Sequence, residues 1–346
     1  MRALVTGAAG FIGSNVVRAL LGQGAEVRAL HLPGEELRNL AGLDVERFPG
    51  DVTDPGRMRQ AVAGCDRVFH LAAVFALWMP RPERMREVNV EGTRTVLTAC
   101  ADAGVARVVY TSSIAVFGGQ GRGVDATEQS PFRLGATGDL YSRTKSESHA
   151  VARAFVDHLD LTIVAPCGPL GPGDVGPTPT GRLLLSVLNL PAAVVVDSAT
   201  CFLDVRDCAQ GHLLAAAAGR RGETYLLGAE NLGMPALARM AMEEAGVRKP
   251  IITVPFGVAR VAARAAVAWA DRVSHAAPLI TPAAVAIARL QLRARCDKAR
   301  EELAFRPRPV RAAVRDALRW FAANGYVRSR AVARRVREGT PSRATE

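Results

Sequence analysis

The sequence predicts an α/β fold, a doubly wound parallel sheet followed by a smaller, mostly helical C-terminal lobe. Three observations carry that reading. Short apolar runs alternate with helical patterns through residues 1–166, as expected for parallel strands covered on both faces. A glycine-rich turn, Thr6-Gly7-Ala8-Ala9-Gly10-Phe11-Ile12-Gly13, joins the first apolar run to the first helical pattern. Beyond Pro166 the texture changes: residues 167–181 hold four prolines and five glycines and read as an irregular, functional loop.

Taken in order, the strand patterns fall at 2–6, 26–30, 45–48, 67–71, 107–112 and 161–165, and the helical ones at 10–22, 55–63, 83–104 and 141–159. After the loop come strands at 202–205 and 224–227 and helices at 207–218 and 234–246. A mostly helical stretch follows over 255–324. The expected division is a Rossmann nucleotide-binding domain over 1–166, to which some later segments return, a substrate lobe over 167–326 and a basic, disordered tail over 327–346. That tail carries six arginines against two glutamates.

The glycine turn has a chemical consequence. A strand that turns directly into a helix presents unpaired N–H groups and a positive helix end to an anion. Gly7 permits the turn, Gly10 lets a pyrophosphate approach the backbone, and Gly13 lets the helix pack on the strand. Phe11 and Ile12 supply N–H groups of the same first turn.

Composition narrows the class. Hydrophobic residues make up 49% and charged residues 22%, as in an ordinary globular protein. The chain is basic, with 44 Lys+Arg against 33 Asp+Glu and a net charge of +11. Aromatics are only 5% and no nucleic-acid-binding motif is present, so no nucleic-acid partner is expected. No apolar run reaches transmembrane length. The nearest, 258–270, is interrupted by Arg260 and Arg264, and reads as a core-packed helix or a membrane-surface one. The six cysteines and six histidines show no metal-ligand spacing, so no metal is expected, and the absence of a signal peptide points to a reduced, cytoplasmic setting.

The second motif is Tyr141-Ser142-Arg143-Thr144-Lys145, preceded by Thr111-Ser112-Ser113 at a strand end. A Tyr and a Lys four residues apart share one helix face. A phenol of pKa near 10 is a poor acid–base group at neutral pH, and a nearby ammonium together with a nicotinamide cation would favour its ionised form. A strand-end serine hydroxyl can steady charge on a substrate oxygen.

With both motifs in hand, the chain resembles the extended short-chain dehydrogenase/reductases, the NAD-dependent epimerase/dehydratase family. Further matches are Gly50-Asp51-Val52-Thr53-Asp54, His70-Leu71-Ala72-Ala73, Asn89-Val90-Glu91-Gly92-Thr93 and Phe202-Leu203-Asp204-Val205-Arg206-Asp207. The resemblance implies Tyr141 as general acid/base, Lys145 as its modulator and ribose ligand, and Ser113, in preference to Ser112, on the substrate oxygen. It implies Asp51 and Val52 at the adenine, Leu71, Ala72 and Ala73 beside the pyrophosphate, Pro166 at the nicotinamide, and Asn89 fixing the central helix near the active site. It also implies a homodimer through the helix bearing Tyr141 and its predecessor. Read from the residues alone, Asp51 could end a strand, Asn89 could cap a helix, and Asp204 and Arg206 fit an ion pair better than a substrate contact.

The segment after the second strand, Arg28-Ala29-Leu30-His31-Leu32-Pro33-Gly34, has no acid to grip ribose hydroxyls. Arg28 and Arg38 are candidates for a 2′-phosphate, which gives a slight preference for NADP over NAD. The loop Gly168-Pro169-Leu170-Gly171-Pro172-Gly173-Asp174 resembles that of dihydroflavonol reductases and 3β-hydroxysteroid dehydrogenase relatives. The wider match resembles the hopanoid-associated sugar epimerase group. Phe75, Trp78, Ser112, Gly168 and Pro169 are the candidate substrate contacts. The expected reaction is hydride transfer between NAD(P) and a ketone or secondary alcohol of a largely apolar small molecule. A nucleotide-sugar epimerase is the alternative, and a non-catalytic nucleotide-binding protein a third.

Overall fold

The computed structural model describes residues 1–338 except 279. Strands β1 (Arg2–Thr6), β2 (Glu26–His31), β3 (Glu46–Pro49), β4 (Arg67–His70), β5 (Arg107–Thr111), β6 (Leu161–Pro166) and a late strand, β10 (Thr224–Leu227), form one sheet. Its order is β10-β6-β5-β4-β1-β2-β3, every neighbouring pair parallel. The order reverses at β1, so the strand ends flanking β1 form the crevice where ligands bind in such sheets.

Both faces are covered, which is why strands such as β6 read as nearly continuous apolar runs. Helix α1 (Phe11–Leu21) and α7 (Val205–Ala218) pack together on one face. Helices α2 (Pro55–Val62), α4 (Thr93–Asp102) and α5 (Leu140–Ala154) cover the other. The expected helix over 83–104 is interrupted: α3 (Glu83–Arg86) passes into a π-helical turn, Glu87–Gly92, before α4. Such wide turns are frequent at functional positions, and this one carries Asn89.

The lobe contains more strand than expected. Residues Gly168–Leu170 form β7 inside the segment read as irregular, and α6 (Pro179–Asn189) begins within it. The short strands satisfy backbone groups that a buried loop would leave unpaired. β7 and β11 (Glu230–Gly233) flank β9 (Ala199–Asp204), while β8 (Ala193–Val196) pairs with β12 (Ile251–Val254). Helices α8 (Met234–Ala245) and α12 (Val310–Ala323) enclose the lobe core with α6. A thin hairpin of α9 (Phe256–Trp269), a π turn at Ala270–Ser274 and α10 (Pro282–Leu290) stands beside it, and α11 (Asp297–Glu302) leads into α12. The tail expected to be disordered includes α13 (Arg330–Glu338), whose Ala333 and Val336 are buried in the lobe core. The remainder of that tail, 339–346, lies outside the described residues.

Candidate active site

β1 ends at Thr6, and Gly7 turns the chain at φ +66°. A Cβ on Gly7 would stand 2.9 Å from the Ala72 backbone, and one on Gly13 only 2.1 Å from the Gly7 carbonyl oxygen. Both positions therefore require glycine; at Gly10 the nearest contact would be 3.2 Å. α1 starts without a side-chain cap or an acidic residue in its first turn. The N–H groups of Phe11, Ile12 and Gly13 find no acceptor among the described residues. These free donors at a positive helix end fit a dinucleotide pyrophosphate.

Thr6 and His70, neither singled out from the sequence as a ligand, tie this turn to the next motif. The Thr6 hydroxyl accepts from the N–H groups of Leu71 and Ala72, both at 3.1 Å, and pairs with His70 Nδ1 at 2.8 Å. His70 Nε2 lies 3.1 Å from Thr93 Oγ1, which itself donates to the Asn89 carbonyl at 2.7 Å. With its acceptor capacity used, Thr6 must donate to Nδ1, so the proton sits on Nε2 and runs toward Thr93. Burial, and then the Lys145 charge, push His70 down to about 3, so the imidazole stays neutral. Asn89 accepts from Val74 N–H at 2.7 Å and donates to the Val74 carbonyl at 3.0 Å and to Thr144 Oγ1 at 3.1 Å. It thus clamps the chain after β4 to α5.

Asp139, buried, caps α5 by accepting from Ser142 N–H at 2.8 Å and from the Ser142 hydroxyl. That cap starts the helix at Leu140 and sets Tyr141 in its first turn. Burial pushes the Tyr141 phenol up to about 12, partly offset by the neighbouring Ser113 hydroxyl, which also accepts from Ala115 N–H at 3.1 Å. The ammonium alone therefore does not lower the phenol, whereas the expectation counts a nicotinamide cation beside it. Lys145 Nζ instead donates to the Thr111 carbonyl at 2.7 Å and to Tyr110 Oη at 3.3 Å. Burial lowers Lys145 to about 7. Ser112 turns to His149 Nδ1 at 3.0 Å, leaving Ser113 as the serine on the phenol.

The Phe75 ring meets Tyr141 edge-on, 4.6 Å between centroids, and remains half exposed. Trp78 Nε1 donates to Asp271 in the lobe at 2.9 Å, joining the loop after β4 to the hairpin. Pro166 is buried at the end of β6, and Gly168 and Pro169 lie in β7 opposite Phe202 and Leu203. At the other end, Val52 is buried against Gly92. Asp51 accepts from Thr53 N–H and hydroxyl and pairs with Arg84, which together hold its carboxyl low against the opposing effect of burial.

The 2′-phosphate candidates separate. Arg28 is buried and donates to the carbonyls of Gln60, Ala61 and Ala63, closing the C-terminal end of α2, so it is not free to meet a phosphate. Arg38 is half exposed and pairs with Glu36 at 2.9 Å. Asp204 and Arg206 form the expected ion pair, extended to Asp316. The structure also gathers Cys167, Cys201 and Cys296, which the sequence leaves scattered. Cys167 and Cys296 lower the Cys201 thiol by hydrogen bonding to it. No linear spacing announces this cluster.

Comparison with known families resolves the affiliation. Residues 3–228 match the model of the NAD dependent epimerase/dehydratase family. The chain belongs to that family. Its glycine turn and its Ser113, Tyr141 and Lys145 lie inside the matched region. A putative dihydroflavonol 4-reductase of Synechocystis sp. is 35% identical over 94% of this chain and 96% of that protein. The sterol demethylase protein B of Methylococcus capsulatus is 34% identical over 94% of this chain and all of that one. Among solved structures, that of gox2253 superposes with a TM-score of 0.82, at 36% identity over 94% and 99% of the two chains. This family member is accordingly an NAD(P)-dependent oxidoreductase. Among the described residues no helix is long and apolar enough to cross a membrane.

Proposed function

We propose that this enzyme transfers hydride between NAD(P) and a ketone or secondary alcohol on a largely apolar molecule, with Tyr141 as general acid/base. The observation that carries this reading is the convergence of Ser113 and Phe75 on one phenol: a hydroxyl to orient a substrate oxygen and an apolar ring to flank its carbon skeleton. The names of the reductase and sterol-related relatives support the same substrate class.

When bound, the nicotinamide supplies or accepts the hydride. Residues suited to holding the dinucleotide are Gly7, Gly10, Phe11, Ile12 and Gly13 at the pyrophosphate, with Leu71, Ala72 and Ala73 beside it. Asp51 and Val52 suit the adenine end, and Lys145 and Pro166 the nicotinamide riboside. In ketone reduction Ser113 donates to the carbonyl oxygen while Tyr141 delivers its phenolic proton. In the reverse direction Tyr141 takes the proton from the alcohol. The raised phenol pKa keeps Tyr141 protonated at neutral pH, ready for the acid role. The cation of Lys145, fixed at the Thr111 carbonyl, favours the phenolate once the proton leaves. Trp78, Gly168 and Pro169 are the remaining substrate-contact candidates, and Ser112, held by His149, positions the strand end.

The test is a panel of hydrophobic ketones, sterol ketones included, assayed with NADH and NADPH. Stoichiometric consumption of the reduced nucleotide is the expected result. Interconversion of nucleotide sugars with no net nucleotide consumed would establish the epimerase reading instead. The slight preference for NADP now rests on Arg38 alone. Fluorescence titration should show NADPH binding tighter than NADH and the difference vanishing in Arg38→Ala; tighter NADH binding rejects it. A homodimer through α4 and α5 is the expected assembly, read by sedimentation velocity.

A further inference from the structure

Three cysteines distant in sequence meet in the interior. Cys167 follows β6, Cys201 lies in β9, and Cys296 precedes α11. All three are buried, and their sulfurs lie within 4.8 Å of one another. Two of the backbones are pinned: Cys167 N–H donates to Leu227 O and Cys201 N–H to Leu292 O, both at 2.9 Å. The sulfurs converge in front of Gly228, where a Cβ would stand 2.4 Å from Cys201 Sγ, 2.9 Å from Cys167 Sγ and 3.0 Å from Cys296 Sγ. Any side chain at 228 would occupy that point, and the glycine leaves it to the three sulfurs.

The spacing suits a trigonal site, in which metal–sulfur bonds of about 2.3 Å put the sulfurs about 4 Å apart. No histidine or carboxylate joins the cluster among the described residues, whereas structural zinc takes four ligands. Soft sulfur donors select copper(I), zinc and iron–sulfur clusters, and of these the three-sulfur set suits copper(I). We propose that Cys167, Cys201 and Cys296 form a three-sulfur site for a copper(I)-class cation. Such a site would tie the end of β6, one residue beyond Pro166, to β9 and α11.

The test is anaerobic titration of the reduced full chain with copper(I) against a bicinchoninate competitor, followed by X-ray absorption. The expected result is one tightly held ion per chain with three sulfur neighbours. Affinity should fall on the order of 100-fold or more in Cys201→Ala and persist in a Cys65→Ala/Cys100→Ala/Cys208→Ala variant. Circular dichroism and nucleotide binding establish that each variant is folded. Should Cys201→Ala not fold, the sulfur count of the unsubstituted chain decides. Fewer than three sulfur neighbours, binding unchanged by Cys201→Ala, no binding above competitor, or a Cys167–Cys201 disulfide in the isolated protein would each overturn the assignment.

A separate observation concerns the α9 hairpin. Val258, Val261, Trp269 and Val273 are 60%, 66%, 61% and 53% exposed and recur at three- to eight-residue intervals along one stripe of α9 and its π turn. Beneath it, among the described residues, only Ala259, Ala263 and Val285 are buried in the hairpin's own cluster. Residues 246–296 contain eight arginines or lysines and a single acid, Asp271. Arg260, Arg264 and Arg272 have no ion-pair partner among the described residues. An apolar stripe rimmed by unpaired cations matches an anionic lipid surface better than a second copy of an equally basic hairpin. Trp78 joins the loop beside Tyr141 to this hairpin through Asp271.

We propose that α9 and its π turn seat the protein on an anionic bilayer. Flotation with vesicles containing phosphatidylglycerol should recover the full chain, and vesicles of phosphatidylcholine alone should recover at least tenfold less. Val261→Asp should abolish recovery while leaving turnover of a water-soluble ketone unchanged, which separates this proposal from the catalytic reading. No flotation with anionic vesicles, flotation unaffected by Val261→Asp, or a self-association that Val261→Asp dissolves would overturn it.

Discussion

The β1–α1 turn and the α9 hairpin are built on different terms. In the turn, backbone geometry leaves almost no choice of residue: Gly7 has a left-handed φ, and a Cβ on Gly13 would collide with a carbonyl oxygen. In the hairpin, a small buried cluster holds α9, whose opposite face is exposed, and many residue types would serve there. The first kind of region dictates its sequence and so announces a dinucleotide. The second leaves its sequence free to follow whatever molecule or surface it meets.

The largest effect that would break this contrast is at Gly13. Gly13→Val should cost about 3 kcal/mol or more, because the clash is with backbone rather than a movable side chain. Urea unfolding and nucleotide titration both report it, and a stable variant with normal nucleotide affinity would contradict the account. Next comes Asn89→Leu, which strands the Val74 N–H and carbonyl. Each buried orphan costs about 1–3 kcal/mol, and a drop in kcat beyond the loss of stability would sharpen the positioning role. Thr6→Val removes the acceptor for two N–H groups and the partner of His70, with a loss of about 1–3 kcal/mol for each group left unpaired.

Acid should act on the nucleotide half through its buried imidazoles. His70 and His212 are lowered by burial to about 3 and about 4. Between those values and the unfolded value near 6.5 the unfolded chain binds more protons, so stability falls as pH drops below 6.5. Each histidine contributes up to about 1.4 kcal/mol per pH unit in that window. Denaturant midpoints at pH 7.5 and 5 measure this, and equal midpoints would mean that neither imidazole is held neutral. The smallest effect is in the hairpin: Val261→Asp should change stability by no more than about 0.5 kcal/mol. Ala263→Asp, at a fully buried site, should cost several times that amount.

What could be read from the sequence follows the same division. The parallel sheet and the Tyr141–Lys145 face are local patterns, and the sequence alone locates them. The strand at 224–227 is legible, but its place beside β6, the short strand β7 and the three-cysteine cluster depend on residues brought together from distant segments, and no local period records that. The helical spacing puts Lys145 on the Tyr141 face but does not reveal its partner, because the Thr111 carbonyl competes for the ammonium. Arg28 looked available for a phosphate because nothing in its neighbours' sequence reveals that α2 ends against it. The π turn at Asn89 was likewise hidden, since a one-residue widening leaves the apolar period almost unchanged.

The most direct test of the proposed chemistry is single-turnover hydride transfer from NAD(P)H to a hydrophobic ketone by Tyr141→Phe. The account predicts nucleotide affinity within about twofold of the unsubstituted enzyme and a transfer rate lower by roughly 100-fold or more. A transfer rate unchanged by loss of the hydroxyl would contradict it.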